Sequence, residues 1–185
     1  TNGSIRGRVA PAMPAMDWVL ENKHWPSIIQ AYLASTTFVD HQVGKLLDAL
    51  DASPFAKNTF IVLWSDHGYH MGEKGRFAKQ SLWQESSRVP LIIAGPEIEG
   101  GRKTNVPVQL LDLYPTLADL LGLAANPQNE GHSFYPLLEN TGSPWSYPAI
   151  TTYGPGNHAL QTAKHRYISY EDGSAELYDH REDPN

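Results

Sequence analysis

The chain has 185 residues, no cysteine and a formal net charge of −6, and its lysines and arginines form no basic cluster. Such a chain is no general nucleic-acid binder, and no apolar run approaches the ~20 residues of a membrane helix. The length can bury one sizeable core with a small appended subdomain, and fifteen glycines with fourteen prolines favour long ordered loops.

Residues 1 to about 26 read as an irregular, proline-punctuated entry segment. Ser27 followed by Gln30 resembles a capping box. Ile28, Leu33, Val39, Val43, Leu46, Leu47 and Leu50 then recur at helical period and predict a core-facing helix, with Asp40 and His41 solvated. Ser53-Pro54 ends it. Thr59 to Trp64 is a continuous apolar run, as expected for a strand covered on both faces.

That run stops at Ser65-Asp66-His67-Gly68. Carboxyl ends of strands in open α/β sheets hold ligands and metals, because loops converge there over a rigid base. Adjacent residues on a strand point to opposite sides. A turn at Gly68 would let Asp66 and His67 reach one ion. By itself the triplet reads as a strand-terminal turn with a helix-capping acid before it reads as a metal site.

The residues that follow raise the second reading. Gly72 and Gly75 bracket Glu73-Lys74 in a loop too glycine-rich for a good helix, and that loop delivers Lys79 to a short helix, Gln80 to Ser87. Arg88-Val89-Pro90 ends the helix, and Leu91 to Ala94 is a second buried strand closed by Gly95-Pro96. The order is strand, polar loop, short helix, strand, read as a parallel-type unit. Within it Glu73 supports the loop, Arg88 pairs with Glu85 or a helix end, and Trp64 and Trp83 pack. His70 either lines a substrate pocket or makes a structural hydrogen bond.

Leu110 to Leu121 predicts another helix, with Asp112 as a cap rather than a catalytic acid, Pro115 in the first turn and Gly122 just past the end. Residues 128 to 147 are a polar, proline-rich connection. Short alternating runs follow at Ala149 to Tyr153, His158 to Ala163, Arg166 to Tyr170 and Ala175 to Tyr178, with a hairpin turn at Glu171-Asp172-Gly173-Ser174. They predict a small antiparallel sheet.

The string S-D-H-G-Y-H-M-G-E-K-G-x-x-x-K, followed by L-W-x-E-S-x-R-V-P-L-I-I-A-G-P, resembles the second half of a type I, formylglycine-dependent sulfatase. Its Asp-His pair is similar to the iduronate 2-sulfatase-like branch. Ala31 to Asp51, Val108 to Leu123 and Glu176 to Asn185 resemble further segments of that family in its own order, so the likeness runs from about Ala31 to the end.

The resemblance implies an α/β, alkaline-phosphatase-like fold. Residues 1–125 would form the C-terminal part of the catalytic domain, and 126–185 an antiparallel-sheet subdomain incomplete at its end. It implies that Asp66 and His67 ligate an active-site Ca²⁺ and that Lys79 binds the sulfate group. A carboxylate suits a hard cation, whereas imidazole by itself suggests Zn²⁺ or Mn²⁺. A divalent cation and a fixed ammonium would stabilise charge developing on the sulfuryl oxygens as a formylglycine hydrate attacks sulfur. His70 and His158 are candidate substrate contacts; His158 reads equally as a turn histidine bonded to backbone. Many relatives have arginine where Gln161 stands.

The family's C/S-x-P-x-R nucleophile motif, its Asp-Asp pair and its upstream sulfate contacts have no match in this chain. Thr1-Asn2-Gly3 does not look like a start, and Asp183-Pro184-Asn185 stops inside the closing motif. The expectation is therefore the C-terminal portion of a longer sulfatase, inactive alone, whose missing half supplies the formylglycine. Its substrate would be a sulfated carbohydrate, and its location periplasmic, secreted or lysosome-like. The alternatives are a metal-dependent phosphoesterase or phosphonate hydrolase of the alkaline phosphatase superfamily, or a truncated product without catalysis.

Overall fold

The computed structural model describes residues 15–182; the expectations about Thr1–Gly3, the first part of the entry segment and Asp183–Asn185 lie outside them. Among the described residues, one compact unit takes those up to Gln80 with Glu85–Glu97. The other takes Ser81–Gln84 with those from Ile98 onward.

The first unit opens with α1 (Met16–Glu21) and α2 (Trp25–Asp51). The entry segment is thus partly helical, and α2 starts earlier than expected. Its N-cap is His24, with Pro26 in the first turn. Proline has the fixed φ a first turn needs and lacks an N–H that would go unpaired there. Ser27 falls inside the helix, so the capping box expected at Ser27–Gln30 does not form. The expectation of a core-facing helix is also corrected: no residue of α2 is buried, and Leu33, Phe38, Val39 and Leu46 are exposed. Periodicity identifies an apolar face but not what covers it. Asp40 and His41 are exposed, as expected.

β1 (Ile61–Trp64) pairs with β4 (Leu91–Ala94), Ile61 opposite Ala94 and Trp64 opposite Leu91. The pairing is antiparallel, which corrects the parallel-type unit. A parallel crossover must carry the chain back along the full strand, usually on a long helix. Here the connection holds a one-turn helix, α3 (Gln84–Ser87), and a ribbon of β2 (His70–Met71) with β3 (Phe77–Ala78), joined by a 3-10 turn at Glu73–Gly75. The chain therefore re-enters beside the end it left. β1 is not covered on both faces either: its residues are half-buried and Trp64 is exposed.

The second unit has an apolar core that also encloses the polar Asp112 and Thr116. A 3-10 turn, Leu110–Asp112, runs into α4 (Leu113–Leu120), and Gly122 follows with φ +63°. Asp112 is a cap, as expected, but as the third residue of a capping box: its Oδ2 accepts the Gln109 N–H at 3.0 Å. Its Oδ1 accepts the His132 N–H at 2.8 Å. Thr116 donates to the Asp112 carbonyl at 2.6 Å and accepts the Phe134 N–H at 2.9 Å. These buried bonds tie the loop before α5 (Tyr135–Glu139) onto α4.

β5 (Ala149–Thr152), β6 (His158–Gln161), β7 (His165–Ser169) and β8 (Ala175–Asp179) form the expected four-stranded antiparallel meander. Its last hairpin closes where Gly173, at φ +84°, donates to the Tyr170 carbonyl. Ala159 and Ile168 face each other across β6 and β7 and are fully buried. No helix among the described residues is long and apolar enough to cross a membrane.

Replacing Asp112 with Ala removes the acceptor for two backbone N–H groups around a buried site. The expected loss of stability is on the order of 3 kcal/mol, read from denaturant unfolding. An unchanged midpoint would show that water replaces both bonds.

Candidate functional site

The site is assembled where β1 ends. Ser65 Oγ donates to the His67 carbonyl at 2.9 Å, which turns the chain immediately after Trp64. Gly68 then passes against α3: its N–H donates to the Ser86 carbonyl at 2.8 Å. A Cβ at this position would lie 2.0 Å from the Glu85 carbonyl oxygen and 2.7 Å from that of Arg88. Glycine is required for this close approach rather than for a special turn conformation.

That anchor orients His67. Its Nδ1–H donates to the Gly68 carbonyl at 2.9 Å, so the lone pair lies on Nε2. Nε2 is 3.6 Å from Asp66 Oδ2 and hydrogen-bonded to Lys79 Nζ. Asp66, His67 and Lys79 are therefore brought together, although twelve residues separate the lysine from the histidine. The Asp66 side chain is 84% exposed, so its carboxylate faces open space. An exposed carboxylate beside an imidazole lone pair fits two corners of a divalent-cation shell, and the carbonyl bond on the far ring nitrogen is the usual way a ligating histidine is held. Among the described residues no group of three or more His, Cys, Asp or Glu could hold a metal. Among the described residues, Asp66 and His67 are the potential ligands that stand side by side there.

The loop between these residues is braced from several sides. Trp25 lays its indole over Gly72, where a Cβ would come within 2.8 Å of the ring, and its N–H donates to the Met71 carbonyl at 2.9 Å. Tyr32 packs beside Tyr69, ring centroids 5.4 Å apart. Glu73 supports the loop, as expected, by accepting the Met71 N–H at 2.6 Å. Phe77 is wholly buried and fixes β3 just ahead of Lys79. Ala78 and Gln80, on either side of Lys79, both have left-handed backbone, with φ 69° and 66°. Neither residue type favours that region, so Lys79 stands between two strained positions. Nothing in the sequence signals this strain, whereas Gly68 and Gly72 were visible as glycines.

His70 lies elsewhere. Its side chain is fully buried, with Nδ1 4.0 Å from Glu85 Oε2. Burial pushes the imidazole below its ordinary value, against the opposing pull of the Glu85 carboxylate. His158 is in the second unit, at the start of β6, with Nδ1 2.9 Å from Thr152 Oγ1. Gln161 accepts from Arg166 Nη1 at 3.1 Å. Trp83 packs as expected, 5% exposed.

Comparison with known proteins gives two family matches. The sulfatase family model matches residues 7–123, and the model of the C-terminal region of N-sulphoglucosamine sulphohydrolase matches residues 72–185. The chain is 51% identical to a sulfatase of Formosa agariphila, over 95% of this chain and 34% of that protein. It is 33% identical to a Δ4,5-hexuronate-2-O-sulfatase of Bacteroides thetaiotaomicron, over 92% of this chain and 38% of that protein. The fold is similar to a protein solved with its substrate D-glucosamine-2-N,6-O-disulfate, with TM-score 0.76, 32% identity and coverage of 83% of this chain and 34% of the other. The chain thus spans little more than a third of the length of these relatives.

Gly68→Ala should destabilise the site by about 1–3 kcal/mol as the Glu85 backbone is forced away, read as a lower Tm in thermal unfolding. His70 makes a second prediction. Because its folded value is depressed below 6.5, its contribution to stability is present above pH 6.5 and lost as pH falls through the folded value. Unfolding midpoints measured down from pH 7 should therefore drop, and His70→Phe should flatten that slope; an equal slope in both proteins would assign it to other groups.

Proposed function

The chain belongs to the sulfatase family, and on that premise we propose that it forms part of a sulfuric ester hydrolase, supplying two metal ligands and the sulfate-binding lysine. The carrying observation is the convergence of Asp66 Oδ2, His67 Nε2 and Lys79 Nζ on one point at the end of β1. A carboxylate and an imidazole lone pair would hold the divalent ion, Ca²⁺ by family likeness. Bound there, the ion would neutralise negative charge on the sulfuryl oxygens.

The chain's own residues do the rest of the described work. The Gly68 carbonyl holds His67 in the tautomer that leaves Nε2 free of a proton. Lys79 presents an ammonium beside the pair, where it can donate hydrogen bonds to a sulfate oxygen and stabilise charge as the ester bond breaks. His70, enclosed with Glu85, supports the loop from within rather than touching substrate. His158, exposed at the start of β6, remains a candidate substrate contact. The nucleophile, a formylglycine, would come from residues outside this chain.

Residues 1–125 and 126–185 would then be the C-terminal part of the catalytic domain and a small sheet subdomain of a longer enzyme. Two observations support a longer partner segment: the relatives are nearly three times as long, and the apolar face of α2 is uncovered. A sulfated carbohydrate is the substrate class that fits the hexuronate-2-O-sulfatase and glucosamine-disulfate relatives. The Asp-His pair favours the iduronate 2-sulfatase-like branch, and a periplasmic, secreted or lysosome-like location goes with it.

In the intact polypeptide, Lys79→Ala should lower kcat for sulfate-ester hydrolysis roughly 10²–10³-fold with the fold retained. The check is a steady-state assay on 4-nitrophenyl sulfate and a sulfated disaccharide, with circular dichroism for folding. Near-normal turnover would remove Lys79 from the site. Hydrolysis of a phosphonate monoester but of neither sulfate would move the protein to the phosphoesterase reading.

A further inference from the structure

Trp25 is the first residue of α2, and the corner that delivers it is fixed by its own hydrogen bonds. After α1 the chain passes through Lys23, left-handed at φ 57°. The Lys23 N–H donates to the Leu20 carbonyl at 3.1 Å, and the His24 N–H to the Val19 carbonyl at 2.9 Å. These two bonds make a Schellman turn, and its Val19 is fully buried. Trp25, Ile28, Ile29 and Tyr32 then lie along one stripe of α2, at i, i+3, i+4 and i+7, with both isoleucines half-buried. The two aromatic ends of the stripe touch the loop after β1. Tyr32 packs beside Tyr69, and Trp25 bonds the Met71 carbonyl and covers Gly72. Trp25 is 41% exposed, so its ring is not a core filling.

The loop depends on such a cover. Its ribbon has two residue pairs, His70 with Ala78 and Met71 with Phe77. A hairpin of that size is marginal by itself. It nevertheless holds Ala78 at φ 69°, one residue ahead of Lys79. Left-handed backbone at a non-glycine residue persists only where its surroundings over-determine it. Buried Phe77 restrains the ribbon from β3, and Trp25 restrains it from β2 and the adjoining Gly72. Trp25, the ribbon, His67 and Lys79 all belong to the first unit. Without the indole the ribbon can fray, Ala78 can relax, and the ammonium can swing away from His67.

We infer that Trp25 is a positioning residue for Lys79, acting through Met71 and Gly72 on the β2–β3 ribbon. The inference rests on the reading of Lys79 as the sulfate-binding group. It gives the corner between α1 and α2 a role in turnover without contact between Trp25 and substrate.

A double-mutant cycle in the intact polypeptide tests it. Trp25→Ala is made with Lys79 present and with Lys79→Ala. Trp25→Phe, which keeps a ring and removes the N–H, is made in the same two backgrounds. Hydrolysis of 4-nitrophenyl sulfate is measured, with amide hydrogen exchange over residues 70–79 and over β1 as an internal reference. With Lys79 present, Trp25→Ala should lower kcat/KM about tenfold or more, as misplacement of a reacting group does. In the Lys79→Ala background it should cost no more than about twofold, because the group it positions is gone. Exchange should quicken over 70–79 and stay unchanged in β1. Trp25→Phe should give smaller losses of the same pattern, and it replaces Trp25→Ala if that variant does not fold.

Equal losses in both backgrounds would make Trp25 merely structural and overturn the inference. So would exchange that quickens equally in β1, or that does not change over 70–79. Near-normal activity of Lys79→Ala alone would instead take away the reading of Lys79, and the inference would fall with it. A large effect of Lys79→Ala beside none from either Trp25 variant would sink only the inference.

Discussion

The candidate site depends on one close backbone approach, that of Gly68 to the turn Glu85–Ser86. The loop leaving β1 and returning to β4 is long, and closing it costs chain entropy whatever it carries. The Gly68 N–H bond to Ser86 draws the outgoing and returning strands together at the base of that loop. The space between them admits no side-chain carbon. Everything beyond that contact is a smaller loop on a fixed footing. It begins one residue after His67 and holds Lys79 within it.

On this footing polar and apolar restraints divide the work. Trp25, Phe77 and Tyr32 hold the loop by packing, and they leave the Asp66 carboxylate exposed. Backbone hydrogen bonds set orientation: the Gly68 carbonyl chooses the His67 tautomer, and Glu73 pins the Met71 N–H. Within this loop, left-handed non-glycine backbone occurs at Lys74 and on both sides of Lys79, at Ala78 and Gln80. In the second unit, Asp112 and Thr116 tie a loop to a helix by buried hydrogen bonds. In such a place a lost partner costs more than the bond contributes net.

The sheet of the second unit was legible strand by strand, because alternating patterns, the Glu171–Ser174 turn and Gly173 all follow from local rules. α4 was equally plain, with Pro115 and Gly122 marking its ends. α2 was legible as a helix but not as an exposed one. Apolar periodicity reports a face, and whether that face is covered depends on chain that lies elsewhere. The antiparallel return of β4 was missed because the direction of pairing depends on how far the connection travels. A string of loop residues does not state that distance.

By itself the sequence determined the family, and it placed Asp66, His67 and Lys79 in one motif whose order is local. It also determined where strands and helices stop, since glycine and proline act through their own backbone. Only the tertiary structure decided that Asp66, His67 and Lys79 meet, that His70 turns inward to Glu85, and that Gly68 is needed for closeness rather than for a turn. Only it showed Leu82 and Trp83 in the grip of Arg166 and Glu176, more than eighty residues away. Contacts of that span are chosen by packing of the whole chain, and no local pattern encodes them.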